Sequence, residues 1–537
     1  MRAMSRSLPR LALLLLATSA AACSAAGPDA EEDDLASAYS SSEAVLLDFE
    51  FDGSLVTDAT WNLEDTINDQ LLYTIGHLNG DRAVGRLDAL ELTNIQKKAL
   101  GDGTTEVTYH AKMPVSWGKK TQVPTTYAFT MPKLATYAGF EAFTKAYEHS
   151  CVDWGAHDVD SGSMWYYFRP GRSDCAPKDA DVVKWTARVA VSKLNTTGKY
   201  PEYDKVWADK ELDVVSVFGK FEDGATSDVG IDGYNAYVSA VRTELSRFSL
   251  TTVPAQLPPT PGVANPDVTL SATLPDGRKV NVTALLVDNV SSAPQSFYTR
   301  YEALSTKADL ISYNGHAGLG QNVRALARKG KFVKGQYLMV FMNGCDTFAY
   351  VDGSLAQTRA QINPDDPTGT KYMDIVTNTM PAFFTSMPTA SLALLRGLLS
   401  YENPKTYQQI FDGVDKSQAI VVTGEEDNAF TPSVTPPPSG GWKGIDESMT
   451  VTKGQERRFA ASALAPGKYS FVLDGAGDAD LYVKVGTAPT TKLYDCRPFL
   501  GGSKERCEVD VRATSDVYVM VRGWAASSAV KLTGRKG

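Results

Sequence analysis

The chain has 537 residues, 43% of them hydrophobic and 22% charged, an ordinary globular composition too long for a single core. A net charge of −10 and an isoelectric point near 5.2 argue against a phosphate-backbone partner, so no nucleic acid is expected.

Residues 1–23 read as a secretory signal. Arg2, Arg6 and Arg10 give a basic start, Leu11 to Ala17 an apolar stretch too short to span a bilayer, and Ala20-Ala21-Ala22-Cys23 a small-residue junction. That junction resembles a bacterial lipobox, with Ala20 where a Leu is usual. The resemblance implies lipidation at Cys23 and a membrane partner held through that lipid; the alternative is a cleaved signal with a chance cysteine. Residues 24–44 are small and acidic, a disordered tether by composition. No other apolar run is long enough to span a membrane.

Export makes the six cysteines readable as disulfide candidates. Cys151 and Cys175 flank a Gly- and Asp-rich loop, and Cys496 and Cys507 flank RPFLGGSKER. Both pairs are expected to close locally, the shorter loop contributing about 2–3 kcal/mol on the loop-entropy argument. Cys345 is left over, and its position after a strand favours a reactive thiol over an inert one.

Residues 45–205 mix β-like runs (AVLLDFEF, TEVTYHAKMPV, YAFTMP) with the helical FEAFTKAYEH, and are expected to be an α+β accessory region. From 206 to 430 the pattern alternates. LDVVSVFG, VNVTALLVD, ADLISY, QYLMVFMN and QAIVVTG are strands; GYNAYVSAVRTELSRF, SFYTRYEALSTK, QNVRALARKG, MDIVTNTMPAFFTSM, SLALLRGLLS and TYQQIFDGV are helical. Strands apolar on both faces and separated by helices predict an α/β parallel sheet in a three-layer αβα arrangement. Residues 431–441 are a Pro-rich linker, and 442–537 alternate strictly in KYSFVLDG, ADLYVKVG and DVYVMVRG, which predicts an all-β sandwich.

LISYNGHAG at 310–318 and LMVFMNGCD at 338–346 carry the chemistry. Each buried strand stops at Asn-Gly and presents the next residue, His316 or Cys345, at a sheet edge. In an open α/β sheet the carboxyl edge is where ligands collect. An imidazole and a thiol on two such ends are the minimum for a thiolate nucleophile with its base, and their side chains are expected to converge in an open cleft.

Two resemblances add to this reading. The tail resembles the bacterial pre-peptidase C-terminal domain through Gly477-Asp478-Ala479-Asp480-Leu481-Tyr482-Val483, Tyr494-Asp495-Cys496-Arg497-Pro498 and Val521-Arg522-Gly523. This implies a jelly-roll-like sandwich with an adhesive or accessory role beside a secreted hydrolase. Asp478 and Asp480 could hold calcium or simply cap a turn.

The middle region is similar to the caspase-like fold of caspases, legumains and gingipains, in which one strand ends in a catalytic His and the next in a catalytic Cys. His316 and Cys345 fit that order. The resemblance implies a cysteine peptidase acting on peptide or protein through an acyl-enzyme, requiring no cofactor, with oxyanion donors at the backbone N–H groups of Gly318 and Cys345. The sequence departs from the family in Ala317, where Gly is usual after the His, and in Gly344, where Ala is usual before the Cys.

Asp346, Asp365, Asp366 and Glu425-Glu426-Asp427 are acidic candidates for a specificity pocket, though each also reads as a loop charge. His149, His157, Asp158 and Asp160 match no ligand set, and His77 and His110 read as structural. There is no Gly-x-Ser-x-Gly elbow, no HExxH helix and no Walker loop. The leading expectation is a surface-anchored cysteine peptidase of the bacterial cell envelope, an outer-membrane lipoprotein or an extracellular protein. The alternatives are a non-catalytic surface lipoprotein on a degenerate caspase-like scaffold and an acyl transferase using the same dyad. Nothing in residues 45–205 marks a cut site, which leaves open whether they form a removable pro-segment.

Overall fold

The computed structural model describes residues 43–537 apart from 157, 416–417, 425–427, 433–441, 443, 487, 492 and 513. The signal with Cys23, the tether up to residue 42, most of the linker, His157 and Glu425-Glu426-Asp427 therefore lie outside the described residues. Two compact units divide near residue 431.

The first unit opens with six strands: β1 (Val45–Thr57), β2 (Ala83–Gly85), β3 (Glu91–Ala99), β4 (Thr105–Trp117), β5 (Thr126–Pro132) and β6 (Val182–Val191). They pair antiparallel in the order β2-β4-β1-β6-β5, with β3 also on β4. The alternation in β1 puts Leu47, Phe49, Phe51 and Leu55 into a core shared with Tyr73, Phe129, Phe143 and Phe168. The Cys151–Cys175 disulfide forms as expected, with Cα atoms 4.6 Å apart.

The second half of this unit is an eight-stranded sheet of β7 (Glu211–Gly219), β8 (Ser249–Val253), β9 (Asp267–Thr273), β10 (Lys279–Val287), β11 (Leu310–Asn314), β12 (Leu338–Asn343), β13 (Met373–Asn378) and β14 (Ile420–Thr423). Its order is β14-β13-β12-β11-β7-β10-β9-β8. The five central strands run parallel, β9 and β14 run antiparallel to them, and β8 pairs antiparallel with β9. Alternate residues of each strand feed two separate cores. Val214 and Phe218 face helices α1 (Val229–Leu245) and α5 (Met387–Leu398) on one side. Val215 and Val217 face α2 (Gln295–Ser305) and α3 (Gln321–Lys329) on the other. A short helix, α4 (Thr347–Tyr350), follows β12.

The three-layer arrangement agrees with expectation, with two corrections. MDIVTNTMPAFFTSM is not helical: its first six residues are β13, buried at every position. A strand apolar on both faces has the same composition as a buried helix turn, so periodicity could not separate them. β8 and β9 were not anticipated, because their Ser and Thr content reads as loop.

The tail folds as two facing sheets. One is β15 (Ile445–Thr452), β21 (Ser527–Lys536), β17 (Gly467–Ala476) and β19 (Glu505–Val511); the other is β16 (Glu456–Leu464), β20 (Ser515–Gly523) and β18 (Ala479–Val485). Cys496 and Cys507 are bonded, with Cα atoms 5.7 Å apart.

Phe341, fully buried between sheet and helices, tests the parallel core. Phe341→Ala is expected to cost about 3–5 kcal/mol, read as a drop in the denaturant midpoint at constant slope.

Candidate functional site

The strand order reverses at β7, which has β10 on one side and β11 on the other. A crevice outside the carboxyl ends is expected at such a switch point. β11 ends there, beside β12. The two run in register with Asn314 opposite Asn343, so His316 and Cys345, each two residues further on, leave the sheet at the same level.

The two turns touch. The Gly315 N–H donates to the Asn343 carbonyl at 3.2 Å. A methyl group on residue 344 would stand 2.7 Å from the Gly315 carbonyl oxygen and 3.4 Å from the Ala317 nitrogen. Alanine is thus excluded at 344 in this backbone, and the two positions that depart from the caspase-like pattern meet each other.

Below the turns lies a tier of three buried asparagines, the last residues of β11, β12 and β13. Asn343 Nδ2 donates to Asn314 Oδ1 at 2.9 Å and to the Met387 carbonyl at 3.1 Å. The Ser391 hydroxyl donates to Asn314 Oδ1 at 2.7 Å, and the Gly344 N–H donates to Asn378 Oδ1 at 3.3 Å. Amides here supply the backbone groups at the strand ends with partners where water is excluded.

The His316 ring lies between Phe221 and Phe384, at centroid distances of 5.2 and 5.0 Å. Its Nε2 is 3.1 Å from the Phe221 carbonyl oxygen. Burial lowers the pKa of the ring, and the Phe221 carbonyl works against that shift. In the neutral tautomer that satisfies this carbonyl, Nε2–H donates and Nδ1 is left as the acceptor. The His316 backbone is fixed as well: its carbonyl accepts from the Tyr313 hydroxyl and from Asn322 Nδ2, both at 2.7 Å. Gly318, at φ +58°, opens a single 3-10 turn between His316 and α3.

Cys345 corrects two expectations. It is 5% exposed, its Sγ 3.7 Å from the Ala382 carbonyl oxygen, so it does not line an open cleft. It is also disulfide-bonded, and no described cysteine is a free thiol.

Asp346 follows directly, in a left-handed conformation at φ +50°. It is fully buried and accepts from the Tyr166 hydroxyl at 2.9 Å. Burial pushes its carboxyl up to about 7, with the Tyr166 hydrogen bond pulling the other way.

Asp365 and Asp366 do not belong to the site. They precede β13, at the opposite edge of the parallel sheet. Asp365 pairs with Lys371 at 3.2 Å, and Asp366 accepts the N–H groups of Gly369 and Lys371.

His149 is exposed beside Glu148, and Asp160 accepts the Gly162 N–H. His77 bridges Tyr127 and the Thr130 N–H, and His110 pairs with Glu50 and Asp52 on a sheet face. Among the described residues no group of three His, Cys, Asp or Glu is placed to hold a metal.

In the tail, Asp480 is bound by Arg497 and by the Trp524 indole, both at 2.6 Å, while Asp478 accepts the Gly502 N–H. A guanidinium stands where a cation would, so the pair does not fit a calcium cage.

Comparison with known proteins bears on the tail. Residues 457–523 match the bacterial pre-peptidase C-terminal domain. A neutral protease of Vibrio proteolyticus is 38% identical over 102 residues, 18% of this chain and 17% of that protein. A zinc metalloprotease of Helicobacter pylori is 36% identical over 104 residues, 18% of this chain and 40% of that protein. The chain thus spans less than half the length of either relative. A solution structure of vEP C-ter 100 is 33% identical over 17% of this chain and 88% of that one, with a TM-score of 0.15.

The raised Asp346 carboxyl gives a pH test. The fold favours its neutral form, so this contribution to stability is complete below the ordinary aspartate value of about 4 and is lost as pH rises towards about 7. Urea midpoints measured from pH 4 to pH 8 are expected to fall less steeply for Asp346→Asn than for the parent chain.

Proposed function

We propose that residues 206–430 are a cysteine-peptidase domain of the caspase-like type, in an exported protein whose tail is an accessory module. One observation carries the reading: His316 and Cys345 leave neighbouring parallel strands in register at the switch point, with the imidazole oriented by the Phe221 carbonyl. A base held by a third group beside a candidate nucleophile is the general pattern of covalent catalysis. Export is supported by the signal-like start, and a peptidase-related role by the tail, whose relatives are proteases by name. Their similarity is confined to the tail, so the metal chemistry in one of those names does not carry over to the middle domain.

The chemistry starts from the oxidised protein. An external thiol reduces the Cys345 disulfide by exchange, itself ending as a disulfide, and releases the Cys345 thiol. The thiolate attacks the scissile carbonyl. His316 Nδ1, which takes its proton from the Cys345 thiol as the thiolate forms, passes it to the leaving amine, and water then hydrolyses the acyl-enzyme to the free acid and the Cys345 thiol. The N–H groups of Gly318 and Cys345 are the oxyanion donors, each worth about 3–4 kcal/mol where such donors have been removed.

The alternative, a non-catalytic surface protein on a caspase-like scaffold, is favoured by the burial of Cys345 and by the packing of His316 between two phenylalanine rings. After mild reduction the parent is expected to cleave members of a peptide library, read by mass spectrometry. Cys345→Ala and His316→Ala should each lose at least about a thousandfold of that turnover. Equal turnover by Cys345→Ala and parent ends the assignment, and no turnover by the reduced parent selects the scaffold.

A further inference from the structure

Asp346 sits at the start of α4, where an aspartate ordinarily accepts the first N–H groups of its own helix. It makes no such cap. Its carboxylate instead accepts from Tyr166, 180 residues earlier and on the other side of the nucleophile turn. Tyr350 and Arg169 are the other ionisable groups whose fields reach it.

The next residues go the same way. Phe348, 1% exposed, belongs to the core of the N-terminal sheet rather than to either core of the parallel sheet, with Ala349 and Tyr350 packed beside it. Further along the boundary, the Ser116 and Thr379 hydroxyls bond each other, and the Thr196 hydroxyl donates to the Val422 carbonyl. A methyl on Gly118 would lie 2.9 Å from the Ala419 side chain. The turn that carries Cys345 is clamped between its own sheet and residues 45–205.

We propose that residues 45–205 are a permanent half of the Cys345 site, and that Tyr166 is a positioning residue whose hydroxyl holds Asp346 and, through it, the backbone of the Cys345 turn. Removing residues 45–205 would strip Phe348 of its core and leave the Asp346 carboxyl without its donor, so these residues are not a pro-segment that leaves on activation. The inference rests on reading Cys345 as the reactive group.

The test uses the full chain under mild reduction, with alkylation by iodoacetamide followed at Cys345 by peptide mass spectrometry. Tyr166→Phe and Asp346→Ala are each expected to slow alkylation about five-fold, and the double variant to be no slower than the slower single one. If Asp346→Ala does not fold, the Tyr166→Phe rate is compared in the Asp346→Asn background, where a smaller effect is expected. Unchanged rates, or effects that simply multiply, overturn the proposal. So does a labelled species that lacks residues 45–205 and reacts faster than the intact chain. Alkylation reads the thiol and not hydrolysis. Coupling without peptide turnover therefore sinks the peptidase reading alone, whereas turnover without coupling sinks only this one.

Discussion

The close approach of two strand ends governs this protein. Where β11 and β12 stop, the Gly315 carbonyl comes so near residue 344 that only a hydrogen fits. Two backbones that close leave no room for water, so the amide groups at the ends need partners from the protein, and the row of asparagines supplies them. His316 and Cys345 take their positions from this contact. The imidazole is then fixed by a carbonyl from a third strand end, and the sulfur by the turn that Tyr166 and Phe348 hold from the far side.

Much of this was legible in the chain. Asn-Gly after a buried apolar run marked both strand ends, the alternation of strand and helix gave the layered α/β domain, and the strict period of two gave the tail sandwich. The cysteine pairs that closed short loops were readable for the same reason, since proximity along the chain implies proximity in space. What escaped was long-range. Asn314 and Asn343 read as turn formers, and nothing in either stretch says that Asn378 joins them from β13. Asp346 read as a pocket charge, because no local pattern reveals that Tyr166 lies against it. β13 read as helix, because burial on both faces erases the period by which the two are told apart.

The tail shows how a motif can be right about family and silent about chemistry. Gly477–Val483 identifies the domain, and its two aspartates look like cation ligands when read alone. In the fold Asp480 is the centre of a clamp: Arg497, Tyr482 and Trp524 all donate to one oxygen. The guanidinium also lies 3.6 Å from the Phe499 ring. A charge-assisted contact of this kind fixes a loop without an ion. The likeness to the named proteases lies in this domain.

The first residues described set the order in which the rest can form. Glu43 bridges Ile420, and the Ala44 N–H donates to the Ile420 carbonyl, so the opening of β1 covers the outer edge of β14. An uncovered edge is a template for pairing with another chain. A polypeptide emerging from its amino end exposes β1 long before residue 420 exists, and the closing contact spans nearly the whole unit. Folding is accordingly a late, slow event dominated by distant pairings.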